Sequence, residues 1–249
     1  MEAIPAELWS LLLVGFAAQL IDGALGMAYG VSASAFLTTM GHPPAVVSAT
    51  VHAAEVFTTG ASGVSHAWFK NLDRKILAKL VLPGMLGGAC GAWLLSSLDG
   101  ALLQPFVWVY LLGTGVLLLR RASRSSEPQL AKAPSHALGV VAGFLDAIGG
   151  GGWGVVTTPT LIARGVPPRY AIGTSNTAEF FVTLTISITF LFTFDWRRYD
   201  LVLALLGGGV LAAPLGAWVA KRVPPRAAML AIGVLVIGLA ANGLWRALR

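Results

Sequence analysis

Apolar residues run through this chain in long blocks, and polar residues gather in short stretches between them. Residues 44–69, 76–98 and 101–119 form three such blocks in the first half, and residues 168–194, 201–220 and 227–244 form three more in the second. About 20 apolar residues cross a ~30 Å hydrocarbon core as a helix. Lipid accepts only helices or closed barrels, and these runs are too long and continuous for barrel strands. The pattern predicts an all-α polytopic membrane protein.

A Gly-rich apolar stretch precedes each set of three, at 8–40 and 138–163. The first is too long for one simple crossing, and its two arms are short for two. The middle of the first reads Asp22-Gly-Ala-Leu-Gly-Met-Ala-Tyr-Gly30, and that of the second reads Asp146-Ala-Ile-Gly-Gly-Gly-Gly-Trp-Gly154. Glycine runs interrupt helices through their backbone freedom. Each stretch is therefore expected to be a broken helix or a re-entrant hairpin with its tip inside the bilayer.

The two sets are copies of one unit. A shift of 124 residues places Asp22 on Asp146, Gly26 on Gly150, Gly30 on Gly154, Gly41 on Gly165, Pro43–Pro44 on Pro167–Pro168, Thr50 on Thr174 and Glu55 on Glu179. After one inserted residue, Gly91-Ala-Trp93 falls on Gly216-Ala-Trp218 and Arg121 on Arg246. A register held this long marks an internal duplication. The expected organisation is a first repeat at 8–121, a Ser-, Pro- and charge-rich linker at 122–137, and a second repeat at 138–246.

Composition agrees with a membrane protein. The chain is 56% hydrophobic and 11% charged, with mean hydropathy +0.76, against roughly 25% charged in soluble domains. The net charge of +6 resides in short loop clusters, so a nucleic-acid partner is not expected. In the first half Lys70, Arg74, Lys75 and Lys79 gather in one loop, whereas in the second Arg164 and Arg169 flank the first loop and Lys221, Arg222 and Arg226 fill the third. Under the positive-inside rule the halves are upside down relative to each other. The linker, with Arg120, Arg121, Arg124 and Lys132, becomes cytoplasmic. Arg246 and Arg249 then fall outside, against the rule. Glu2 and Glu7 stand where a cleaved signal would be basic, so the first apolar stretch is expected to persist in the mature protein. The single cysteine, Cys90, excludes an internal disulfide and a cysteine metal cluster, and its apolar setting predicts a buried structural thiol.

The candidate chemistry lies in the apolar segments. They hold four acidic residues, Asp22, Glu55, Asp146 and Glu179, and no deep Lys or Arg. Intramembrane charges are costly and usually functional. Ser48, His52, Glu55, Thr59, Ser62 and His66 recur at intervals of 4, 3, 4, 3 and 4, which makes one polar helical face. Asn176, Glu179, Thr183 and Ser187 repeat part of it. These faces are expected to line a path between the halves, with the glutamates and aspartates in proton coupling or gating. The structural alternative has each Glu bonding free backbone groups of a broken helix, and Asp22 and Asp146 capping the helix after the break. Half-helix N-termini point free N–H groups at anions. Gly26, Gly30, Gly150, Gly151, Gly152 and Gly154, with Thr50, His52, Thr174, Ser175 and Asn176, are therefore candidate substrate-binding residues. Ionised glutamates would repel an anion, so proton exchange is part of the expectation. His52 with Glu55 is the one pair that could serve an intramembrane enzyme, and no P-loop is present. No catalytic residue, metal or cofactor is expected.

On the duplicated unit, Gly149-Gly-Gly-Gly-Trp-Gly154, Pro159, Gly165-Val-Pro-Pro168 and Ala171-Ile-Gly-Thr-Ser175, the chain resembles the TauE/SafE family of membrane permeases over nearly its whole length. The resemblance implies transport of sulfite, organosulfonates or related sulfur anions across the bacterial cytoplasmic (inner) membrane. It implies a secondary transporter working by alternating access, with a small anion and the lipid bilayer as partners. An anion channel, carboxylate transport and homo-oligomerisation remain open. The first half departs from the pattern, with Ala49-Thr-Val-His52 and Gly26-Met-Ala-Tyr-Gly30, so two unequal half-sites are expected.

Overall fold

The computed structural model describes residues 5–25, 27–123, 136–193, 195, 197–220 and 225–247. Gly26, Arg124, Lys132, Lys221, Arg222, Arg249 and most of the linker lie outside the described residues. Those described form helices and no strand: α1 (Ala6–Leu25), α2 (Tyr29–Thr39), α3 (Pro44–Trp68), α4 (Arg74–Ser97), α5 (Gly100–Ser123), α6 (His136–Gly149), α7 (Trp153–Ala163), α8 (Pro168–Thr193), α9 (Tyr199–Ala220) and α10 (Pro225–Ala247). By length and composition α4, α5, α8 and Met229–Arg246 of α10 can each cross a membrane.

Local chemistry sets the helix ends. The Asp73 carboxylate accepts from the N–H groups of Lys75 (2.9 Å) and Ile76 (3.1 Å) and caps α4. Pro44 opens α3 at a position where the missing N–H has no helical partner to lose. Gly41 (φ 89°) and Gly165 (φ 87°) end α2 and α7 in matching left-handed turns. In each turn the following N–H, of His42 or Val166, returns to the carbonyl of Leu37 or Leu161. Ala28 is also left-handed (φ 92°), where the second copy has Gly152 at a still larger positive φ (143°). For an L-residue that conformation costs about 1–2 kcal/mol.

Helices pair across the two halves. α1 lies along α9, and α6 along α4, with small residues allowing backbone contact. A Cβ on Gly15 would overlap the Leu205 carbonyl, and one on Gly87 the Val140 carbonyl. α3 and α8 cross antiparallel: Gly60 sits beside Phe180, and Gly63 beside Thr177. α5 and α10 are also antiparallel, with Gly115 near Gly233 and Trp108 against Gly243.

The ends of these elements sort into two groups. Glu7, at the start of α1, meets His42, just beyond α2, at 2.8 Å. The α1–α2 segment therefore returns to the end from which it started. Arg198 joins this end through Glu7 (3.4 Å) and Asp200 (2.9 Å), and Gly100 of the α4–α5 turn packs on Pro43 and Pro44. The other end carries the α3–α4 loop, whose Asn71 carbonyl lies against Gly173 near the start of α8.

The polarity is inside-out relative to a soluble protein. Trp9, Phe57, Trp68, Leu86, Trp93 and Phe192 are exposed, whereas Ser34, Ser48, His52, Asp146, Thr157 and Thr183 are buried. A surface this apolar suits lipid. Cys90 is exposed, which corrects the expected burial. It lies on the same face of α4 as the exposed Leu82, Leu86 and Trp93, because the Gly84, Gly87, Gly88 and Gly91 face takes the helix packing.

Candidate functional site

The two helix breaks meet at the centre. A Cβ on Gly30 would lie 2.7 Å from Gly151 Cα and 2.8 Å from Glu55 Oε1. Three consecutive glycines, Gly150, Gly151 and Gly152, have φ between 70° and 143°. This backbone is closed to other residues and lets one tip touch the other. Around the second tip, the Ser34 hydroxyl donates to the Gly150 carbonyl, Ser48 to the Ala147 carbonyl (2.5 Å) and Tyr110 to the Gly151 carbonyl (2.8 Å).

All four acidic residues address the N-termini that follow the breaks. Asp146 Oδ1 accepts from the Trp153 N–H at 2.8 Å, and Asp22 accepts from the Tyr29 N–H, its repeat equivalent. The Glu55 carboxyl lies against Gly30, and the Glu179 carboxyl faces the Gly154 N–H. The first N–H groups of a helix have no intrahelical acceptor and carry the positive end of the dipole. Here each half-helix offers two such donors to an Asp and a Glu. The carboxyls are close enough to interact electrostatically: Glu55 with Asp146 and Asp22, and Glu179 with all three others. Among the described residues no group of His, Cys, Asp and Glu has metal-site geometry.

Among the described residues His52 is the cluster's one close basic partner, with Nε2 3.2 Å from Asp146 Oδ2 and Nδ1 2.8 Å from the Ser48 carbonyl. Both side chains of that contact are fully buried. In the second copy Asn176 replaces His52, and its amide donates to Ser62 (3.0 Å) instead. Thr50 Oγ1, Glu55 Oε2 and Asn176 Oδ1 are buried with no hydrogen-bond partner. Buried polar atoms are rarely left so, and these three belong to residues singled out by the sequence.

Two other candidates have partners within the protein. Thr174 Oγ1 accepts from the Asp73 N–H (2.9 Å), fastening the α3–α4 loop to α8. The Ser175 hydroxyl pairs with Thr157 Oγ1 (2.5 Å), and its carbonyl accepts from the Trp153 indole (3.1 Å). Tyr110 and Ser34 touch the second tip and were missed by the sequence reading. A mid-span tyrosine with no counterpart in the other copy, where Leu235 stands, was the available signal.

Known proteins match this chain throughout. The family profile "Sulfite exporter TauE/SafE" matches residues 11–243. A "Probable membrane transporter protein YtnM" from Bacillus subtilis (strain 168) is 44% identical over 235 residues, covering 90% of this chain and 77% of that protein. A "Probable membrane transporter protein" from Haemophilus influenzae is 44% identical over 54 residues, 22% of this chain and 21% of its own length. No solved structure matches. A multi-pass helical protein with an apolar exterior, a buried acidic centre and this coverage belongs to the TauE/SafE sulfite exporter family, and it is a membrane transporter rather than an enzyme.

Proposed function

We propose that the protein is a proton-coupled carrier for a small oxyanion, sulfite or a short organosulfonate, in the bacterial cytoplasmic membrane. Its two repeats sit in inverted topology, each a re-entrant hairpin followed by three spans. The antiparallel crossing of α3 and α8 supports this. Between them lie α4, α5 and the α6–α7 segment, and α8 runs opposite to α3 only if that segment makes no net crossing. The reciprocal pairing of α1 on α9 and α6 on α4 points the same way. Lys70, Arg74, Lys75, Lys79, Arg164 and Arg169 gather at the α3–α4 end, which makes that end and the linker cytoplasmic.

The observation that carries the mechanism is the placement of the protein's own carboxyl groups at the half-helix N-termini, Asp146 on the Trp153 N–H and Glu55 against Gly30. A carboxylate and a sulfur oxyanion compete for the same donors. Protonating Glu55 or Glu179 removes its negative charge, weakens its hold on the Gly30 or Gly154 N–H, and frees that donor for the substrate. One proton in thus accompanies one anion in. Loss of the proton restores the carboxylate and expels the anion. The touching tips at Gly30 and Gly151 are an occluded state, and rocking of one half against the other opens the site to each side in turn.

The test is flux of labelled sulfite and methanesulfonate in proteoliposomes, with and without a pH gradient. Wild type should saturate, which separates a carrier from a channel, and the gradient should accelerate it. Glu55→Gln and Glu179→Gln should each lose the gradient effect and at least about tenfold in rate, as expected for a lost charge-assisted contact. Unchanged flux and pH response in both variants would sink the reading.

A further inference from the structure

We infer that the protein has a second oxyanion site, a vestibule at the Glu7 end formed by α2, α5 and α10. A cavity of about 220 Å³ there is lined by Thr38, Thr39, Gln104, Trp108, Asn242 and Arg246. A water occupies about 30 Å³ of liquid volume, so the cavity suits a tetrahedral oxyanion carrying a short carbon chain. No carboxylate lines it. Among the described residues the Arg246 guanidinium and the Asn242 and Gln104 amides make no hydrogen bond or ion pair. A guanidinium and two amides converging on one concave wall are donors awaiting oxygen acceptors.

The vestibule belongs to one end only. The repeat equivalents of Gln104, Asn242, Thr38 and Thr39 are Met229, Leu117, Ile162 and Ala163, and only Arg121 matches. Arg246 also breaks the basic-inside pattern, and oxyanion capture gives it a role outside. The ligand class rests on the proposed anion carrier. The same chemistry fits a free sulfonate or the phosphate of an anionic lipid headgroup.

Titration calorimetry with methanesulfonate, on the full chain in nanodiscs of zwitterionic lipid, tests the site. Binding should weaken about tenfold or more in Arg246→Gln and Asn242→Leu, be largely kept in Arg246→Lys, and persist in Glu55→Gln. Arg246 is exposed and unpartnered, so its variants should keep the wild-type melting temperature. Nanodiscs with phosphatidylglycerol separate the two sources. Competition by that lipid, lost in Arg246→Gln, assigns the site to a headgroup, and no competition assigns it to the free anion. Wild-type affinity in Arg246→Gln, with no lipid competition, would overturn the site. Wild-type binding kept in both Arg246→Gln and Asn242→Leu, with no lipid competition, would place the anion at the midplane, leaving the carrier standing and removing the vestibule.

Discussion

Gly151 is where backbone geometry leaves least room. Its φ is 134°, and a Cβ there would overlap the Gly30 backbone. Gly151→Ala combines a disallowed conformation with a steric clash, and should destabilise the protein by about 3 kcal/mol or more. Gly113→Ala, at a glycine with open space around it, should change stability by less than about 0.5 kcal/mol. Melting temperatures of the two purified variants check both expectations, and equal losses would refute the tip contact. At this scale the sequence speaks where chemistry is local. Asp22 and Asp146 each stand seven residues before the N–H they accept, so their capping role was legible beside the glycine run. Tyr110 reaches Gly151 from α5, 41 residues away, and nothing near either residue announces the meeting. Thr174, a candidate ligand donor beside Gly173, also accepts from the N–H of Asp73, in a loop that only the fold brings near.

Helix boundaries were readable because glycine and proline punctuate them. The expected spans at 44–69, 76–98 and 201–220 lie within two residues of α3, α4 and α9 at each end. Partners were not readable. The duplication aligns each helix with its copy, but it does not say that α1 leaves its own repeat to lie on α9 while α6 lies on α4. Glycine is the agent of that exchange, since a small-residue face packs only where another backbone comes to meet it. Gly87→Ala would push a methyl into the Val140 carbonyl and part α4 from α6. It should cost about 1–3 kcal/mol. Because α6 carries Asp146, flux should fall with it. Gly207→Ala, on α9 with nothing within 4 Å, is the matched control and should keep both stability and flux.

For the whole molecule, the inverted arrangement makes a prediction that a parallel duplication contradicts. Asp99 lies in the α4–α5 turn of the first half, and Asp195 between α8 and α9 of the second. These turns are not repeat equivalents. With parallel repeats the α8–α9 connection would share a side with the α3–α4 loop, opposite Asp99. With inverted repeats Asp99 and Asp195 share a side, while Lys70 and Arg169 share the other. Cys90 faces outward on α4 with no packing role, so Cys90→Ala gives a tolerated background for labelling. In it, Asp99→Cys and Asp195→Cys should both react with a membrane-impermeant thiol reagent added to intact cells. Lys70→Cys and Arg169→Cys should react only after permeabilisation. Labelling of Asp99→Cys and Asp195→Cys from opposite sides would refute the inversion, and with it the alternating exchange of one anion site between two mirrored half-helices.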